Sequence, residues 1–291
     1  EILITELEHH SNYVPWHFLR SEKGAVIKFA PVNESGDVEI DEIKKLIKEF
    51  IKFNIDLLLL FYFLFMKKIN NEEFIILTGS DSTHFNSLVN LLKSLMKYEN
   101  NSEIKVINLG MNSSEIRYLE ENFNIQITEF DFDNNPSFLK ERDEFNKLGS
   151  YAWKPISIYK EFIESTKNII WLDAGCLITR NLNLLKSIIK KNGFYSPQSS
   201  DTIIRWTHPQ TLKALDTNEK VYTKRNVSGG IVGFAINSEK IKDLLLDWNE
   251  FSIRKEIIAP KGSNRLNHRQ DQAILSVLIH QHGVSRLTPR T

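Results

Sequence analysis

The stretch Asn168-Ile169-Ile170-Trp171-Leu172-Asp173-Ala174-Gly175-Cys176 decides the fold. Its first five residues carry no charge and are mostly apolar, so they read as a short buried strand. An acid follows at once, then a turn of small residues. In open α/β sheets, ligands sit beyond the carboxyl ends of the strands. Asp173 stands at such an end.

Working outward, the same pattern recurs. Phe74-Ile75-Ile76-Leu77-Thr78 is a second apolar run, and it stops at Gly79-Ser80-Asp81. Phe85 to Tyr98 places Leu88, Leu91, Leu92, Leu95 and Met96 on one helical face. Residues 104–109 and 125–130 read as further strands. Between them, Asn112 and Glu115 form a capping-box pattern that opens a helix. Residues 156–165 read as helical. Strands alternating with helices imply right-handed crossovers and an α/β fold with a mainly parallel central sheet. Two acids, Asp81 and Asp173, then lie at strand ends.

Composition narrows the function classes. The 291 residues hold 41% apolar and 25% charged side chains, with a formal net charge of zero. That balance gives no global pull toward nucleic acid or an anionic membrane, and no nucleic-acid partner is expected. The single cysteine, Cys176, excludes an intramolecular disulfide and fits a reducing compartment. Lying between apolar neighbours, it reads as a packed residue. Abundant Lys, Asn and Ile suggest an AT-rich, bacterial genome. The most apolar run is 55–66, about half of the roughly 20 residues that a membrane helix needs. A cytoplasmic location is expected, at most peripheral to an inner membrane.

The first 50 residues differ in character from the rest. Glu8-His9-His10-Ser11-Asn12-Tyr13-Val14-Pro15-Trp16 resembles the cysteine desulfurases among the class V, pyridoxal-phosphate-dependent aminotransferases. In that family the first His after the Glu, here His9, stacks on the pyridine ring. The other reading of this His pair is a surface loop with nothing bound. The family also needs a Schiff-base Lys, an Asp for the pyridine nitrogen and a catalytic Cys loop. None of these appears downstream in a matching context, so His9 is read as vestigial and no functional pyridoxal phosphate is expected. Met66-Lys67-Lys68 looks like a protein start immediately before a strand. The expected division is a fragment over 1–50 that does not fold independently, an apolar spacer over 51–65, and the main domain over 66–291.

Within that domain, Trp171-Leu172-Asp173-Ala174-Gly175-Cys176 resembles the Asp-x-Asp segment of GT-A glycosyltransferases, most closely the glycogenin-like and galactosyltransferase-like group. Leu77-Thr78-Gly79-Ser80-Asp81 resembles that group's first nucleotide-contacting loop. Tyr151-Ala152-Trp153-Lys154-Pro155 stands where the group has a basic residue. Asn226-Val227-Ser228-Gly229-Gly230 resembles the turn beneath the sugar, and Arg269-Gln270-Asp271-Gln272 resembles the late Asp-Gln helix start. The resemblance implies donor contacts at Thr78, Asp81, Lys154, Asp173 and Gly175. It implies sugar or acceptor contacts at Asn226, Ser228, Gly229 and Gly230, and a catalytic role for Asp271. The implied partners are a nucleotide-sugar donor and a glycan, lipid or protein acceptor.

Chemistry accounts for these residue types. Glycosyl transfer passes through an oxocarbenium-like state while the departing diphosphate gains negative charge. A Mn or Mg ion held by two acids commonly balances it, with Asp173 and His282 as the candidate ligands here. Gly175 replaces the second acid, and His282-Gly283 is not followed by the group's usual sequence. Metal dependence therefore stays open. Lys154, Arg205, Lys224, Arg225, Arg265 or Arg269 is the alternative source of positive charge. Asp173 could instead cap a turn, and Asp271 could cap the helix over 272–279. Besides the pyridoxal-phosphate reading, a non-catalytic nucleotide-sugar-binding protein is the competing class.

Overall fold

The computed structural model describes residues 74–284 apart from 100, 101 and 143–147, together with 2–5, 20–22, 24, 26–30, 33, 41–46 and 48. The chain divides into two units, Glu1–Lys68 and Ile69–Thr291. In the first, β1 (Ile2–Thr5) pairs in parallel with β2 (Ile27–Ala30), Ile2 opposite Ile27. His9 and the apolar run 55–66 lie outside the described residues.

The second unit is built on a six-stranded sheet. Its strands are β3 (Phe74–Ser80), β4 (Glu103–Asn108), β5 (Gln126–Glu129), β6 (Asn168–Leu172), β7 (Phe194–Tyr195) and β10 (Ile231–Phe234). The spatial order is β5-β4-β3-β6-β10-β7. The four strands β5, β4, β3 and β6 run parallel, while β10 is antiparallel to β6 and to β7. A separate antiparallel pair joins β8 (Gln198–Thr202) to β9 (Arg225–Val227).

Both faces of the sheet are covered. Leu88, Leu91, Leu92 and Leu95 of the helix Phe85–Tyr98 are fully buried against one face. Each contributes about 1.5–3 kcal/mol by leaving water. The expected capping box opens the helix Ser113–Asn122: Asn112 accepts from the Glu115 backbone, and Glu115 accepts from the Asn112 N–H. The helices Trp153–Glu164, Glu239–Ser252 and Gln270–Gln281 cover the opposite face, around Trp171, Phe234 and Trp248. A buried ion pair ties the first face together, Lys186 Nζ standing 2.6 Å from Glu99 Oε2.

The topology creates a crevice. From β3 the chain steps outward to β4 and β5, then returns to β6 on the other side of β3. Where strand order reverses, the segments leaving adjacent strand ends diverge and open a binding crevice. Here those segments are Gly79-Ser80-Asp81 and Asp173-Ala174-Gly175. Among the described residues, no helix is long and apolar enough to cross a membrane.

Candidate active site

A cleft of about 230 Å³ occupies that reversal point. Gly79, Ser80 and Asp81 form one wall and Asp173, Ala174 and Gly175 the other, with Tyr151 and Trp153 beside them. Trp153 and Trp171 stack at a tilt, ring centres 5.8 Å apart, and build an aromatic floor. Gly79 fits against both rings.

At the inner end of the cleft, three charged side chains converge. Lys154 sits in the first turn of the helix Trp153–Glu164 with only 3% of its side chain exposed. Its Nζ lies 2.9 Å from Asp173 Oδ1 and 3.2 Å from Asp271 Oδ2. It also donates to the Gly229 carbonyl at 3.2 Å. Asp173 is fixed further by the Trp171 indole N–H, at 2.7 Å, and stays 41% exposed toward the cleft. Asp271 is buried. Its Oδ2 meets the ammonium as an ion pair outside hydrogen-bonding geometry, so this oxygen has no hydrogen-bond donor.

Burial and charge tune the three groups. Desolvation pulls the Lys154 ammonium down, but Asp173 and Asp271 override it and hold the group charged, above its ordinary value. Burial pushes Asp271 up to about 6, against the opposing pull of Lys154 and with help from Asp173. Burial and then Asp173 push the nearby Cys176 thiol up to about 11, so it stays a neutral packed group at pH 7.

Two glycines let the backbone approach both carboxylates. The strand β10 returns antiparallel beside β6, which brings the turn Ser228-Gly229-Gly230 over Asp173. The Asp173 N–H donates to the Gly230 carbonyl at 2.8 Å. A Cβ on Gly230 would stand 3.2 Å from Asp173 Oδ2, and one on Gly229 3.4 Å from Asp271 Oδ2. Larger residues would press on the oxygens of the site.

Backbone strain gathers at the same place. Gly149, Ser150 and Tyr151 are consecutive left-handed residues, with φ of 53°, 49° and 63°. Gln270, just before Asp271, has φ 48°. A non-glycine residue held there costs about 1–3 kcal/mol and survives only where its surroundings fix it. The turn at 149–151 sets Tyr151 against Lys154, 5.5 Å from ring centre to Nζ.

The structure sorts the residues expected from sequence. Asp173, Lys154, Asp271, Gly229 and Gly230 meet, and Gly175 lines the cleft. Asp271 does not cap its helix: that helix begins at Gln270, Arg269 occupies the capping position, and Asp271 turns inward. Asp81 lines the cleft, but its oxygens are taken by Thr83, His84 and Arg142, the last at 2.6 Å. Asp81 therefore positions Arg142.

Thr78 is corrected. Side chains alternate along a strand, and Thr78 shares the face of Ile76 while Gly79 faces the cleft. It is fully buried, and its hydroxyl has no hydrogen-bond partner. Asn226 is also fully buried, donating to the Thr202 carbonyl at 2.7 Å, so it braces β9 against β8. Ser228 Oγ accepts from the Gly230 N–H at 3.2 Å and shapes the turn.

His282 is corrected too. It follows the helix whose first turn carries Asp271, about 16 Å away by helical rise, and bonds to Asp247 at 2.7 Å. His280, at that same distant end, faces the Arg225 carbonyl. Among the described residues, no three His, Cys, Asp or Glu side chains gather to hold a metal ion. Asp173 alone offers an accessible carboxylate, and an ammonium stands 2.9 Å from it. That donor set does not fit a Mg or Mn ion, which wants several oxygen ligands.

Comparisons with known proteins fall into two parts. The family described as Aminotransferase class-V matches residues 1–53, and a family described as a protein of unknown function (DUF1647) matches residues 39–158. A "Probable cysteine desulfurase" of Staphylococcus epidermidis is 45% identical over 49 residues, which are 17% of this chain and 12% of that protein. The chain thus spans only 12% of the length of the curated relatives it matches. Among solved structures, the WbbM bifunctional glycosyltransferase is similar with a TM-score of 0.49 and 12% identity, covering 76% of this chain and 39% of its own. The galactosyltransferase LgtC, solved with donor and acceptor sugar analogues, has a TM-score of 0.45 and 15% identity, covering 70% of each chain. These structural neighbours are GT-A-like glycosyltransferases.

Proposed function

We propose that the second unit is a glycosyltransferase that moves a sugar from a nucleotide-diphosphate donor to a hydroxyl of a glycan, lipid or protein. The observation that carries this is the meeting of Asp173 and Asp271 on the buried Lys154, at the end of a cleft set on the sheet's reversal point. The nucleotide lies along the cleft, against Tyr151 and Trp153. Asp173, exposed to the cleft, binds the donor. Asp271, with a pKa of about 6, is mostly ionised at neutral pH and basic enough to take a proton from an acceptor hydroxyl. Its Oδ2, ion-paired with Lys154 at 3.2 Å, is the atom that would receive the proton.

Lys154 acts as a positioning residue. It is buried beneath both carboxylates and engaged by them, so it sets their spacing and charge. The growing charge on the departing diphosphate falls instead to Arg142, held at the cleft by Asp81. No protein-held metal is proposed. Arg205 and Arg269 are engaged elsewhere, their guanidinium groups 4.6 and 4.1 Å from the Trp206 ring centre.

The test is Asp173→Asn, measured against a panel of nucleotide sugars. Loss of nucleoside-diphosphate binding with an unchanged melting profile is expected. Unchanged affinity would refute the assigned role of Asp173. Donor hydrolysis by the wild-type chain separates an enzyme from a non-catalytic binding protein.

The proposed transferase body is residues 66–291, with 1–50 a desulfurase-like fragment carrying no pyridoxal phosphate and a cytoplasmic location for the whole. The family match over 39–158 crosses that boundary. Loss of cooperative melting in a chain of residues 66–291 would move the start of the body toward residue 39.

A further inference from the structure

Two arginines share one indole at the edge of the site. The short helix Ile203–Trp206 carries Arg205 and Trp206, and Arg269 directly precedes the helix Gln270–Gln281, in which Asp271 is the second residue. The Arg269 N–H donates to the Trp206 carbonyl at 3.0 Å and ties the two segments together. The guanidinium groups lie 4.6 and 4.1 Å from the indole centre, and Arg205 also donates to the Leu266 carbonyl at 2.6 Å. An aromatic ring and a carbonyl hold a cation in place without cancelling its charge. Among the described residues, neither arginine has an acidic partner.

This rim is apolar as well as cationic. Ile204 is 54% exposed, and Leu266, at 74%, is the most exposed large hydrophobic among the described residues. Arg205 follows Ile204 in the chain and bonds to Leu266, so both belong to one patch. Residues 202–215 and 257–270, which form it, contain no Asp or Glu. The elements packed against it add Asp201 and Glu219 as acids, and Lys220, Lys224 and Arg225 as bases. Asp271 is turned inward onto Lys154. The chain as a whole is neutral, so the positive charge is a local property of the rim. Exposed aliphatic groups beside unpaired cations match an anionic bilayer, where the former enter the acyl boundary and the latter reach headgroup phosphates. A nucleic acid would satisfy the cations but leave Ile204 and Leu266 in water.

We propose that this rim docks on an anionic lipid surface, with Ile204 and Leu266 entering it and Arg205 and Arg269 on the headgroup phosphates. The docking goes beyond the glycosyltransferase reading and does not depend on it. Combined with that reading, it brings the end of the site that holds Asp271 to the lipid surface.

The test is co-sedimentation of the full chain, at low salt, with vesicles of phosphatidylcholine alone or of phosphatidylcholine and phosphatidylglycerol in equal parts. The anionic vesicles should bind it at least about tenfold more tightly, since each arginine near such a surface is worth about fivefold. Arg205→Gln/Arg269→Gln should lower that preference about tenfold. Ile204→Ser/Leu266→Ser should weaken binding to the anionic vesicles by about tenfold or more. All four side chains are exposed, and an unchanged melting profile reports that each double variant keeps its fold. Equal binding to the two kinds of vesicle, binding to neither, or undiminished binding by either double variant would each overturn the proposal. An oligonucleotide held by the wild-type chain and not by the arginine variant, with no vesicle bound, would assign the rim to a polyanion and overturn it as well.

Discussion

Asp81 and Asp271 each have 6% of the side chain exposed, Asp271 being the more deeply packed, and they titrate in opposite directions. Burial raises both. At Asp81, hydrogen bonds from Thr83, Arg142 and His84 overcome it and hold the carboxyl well below the usual range. At Asp271 burial outweighs the pull of Lys154, whose ammonium is shared with Asp173, and of the Gln272 N–H, giving about 6. The charge of each acid is set by the balance between its depth of burial and the donors that reach it.

The comparison is broken most severely at its hinge. Lys154→Met removes the cation from between two carboxylates and should cost about 3–5 kcal/mol, since it leaves uncompensated buried charge. Denaturant melts at pH 7 check this. The Asp271 pKa should climb above 6, readable by carboxyl NMR in any variant that stays folded.

Asp271→Asn tests the raised member. Transfer should fall about 10²–10⁴-fold, the usual worth of a positioned base, and the acid limb of the rate profile near pH 6 should disappear. Its stability signature has a definite sign. The folded pKa lies above the ordinary 3.8, so the favourable contribution is complete below pH 3.8 and is lost as pH rises through about 6. Replacement by Asn should flatten that decline.

Asp81→Asn tests the lowered member and should show the reverse trend. Its contribution is present above the ordinary 3.8 and is lost as pH falls toward the depressed folded value. At pH 7 the variant should lose about 1.5–3 kcal/mol, as expected for hydrogen bonds to a charged group. The gap to wild type should narrow on acidification below pH 4. A constant gap would mean that the charge of Asp81 is irrelevant.

The smallest effect is expected at Gly175→Asp. A Cβ there meets nothing within 4 Å, and the backbone is not left-handed, so stability should change by no more than about 0.5 kcal/mol. Mn affinity in the presence of nucleoside diphosphate should rise roughly tenfold, because a second carboxylate joins Asp173. Fluorescence or calorimetric titration with Mn checks it. Unchanged affinity would show that the ammonium of Lys154 repels a cation even from a paired acid.

Much of this was legible in sequence, and the misses have physical causes. The strand ends at Asp81 and Asp173 follow from apolar runs that stop at an acid, so both walls of the cleft could be placed. That Lys154 and Asp271 meet Asp173 follows from resemblance alone, because their separation in the chain hides the contact. Thr78 went to the wrong face because an unbroken apolar run carries no alternation to tell one face from the other. Arg142 was passed over because it lies in Lys140-Glu141-Arg142-Asp143, which reads as a solvated charged loop. The left-handed Ser150, Tyr151 and Gln270 leave no trace in composition, since nothing but packing holds such residues there.

The three charges at the cleft come from positions 154, 173 and 271, so the site is finished last. A ribosome delivers the aromatic floor and the first two charges roughly a hundred residues before the third. Until the helix Gln270–Gln281 emerges and docks, Lys154 has a single counter-charge and the cleft lacks its proposed base. A product broken off before residue 270 would carry every strand of the sheet yet lack Asp271, the base of the proposed transfer.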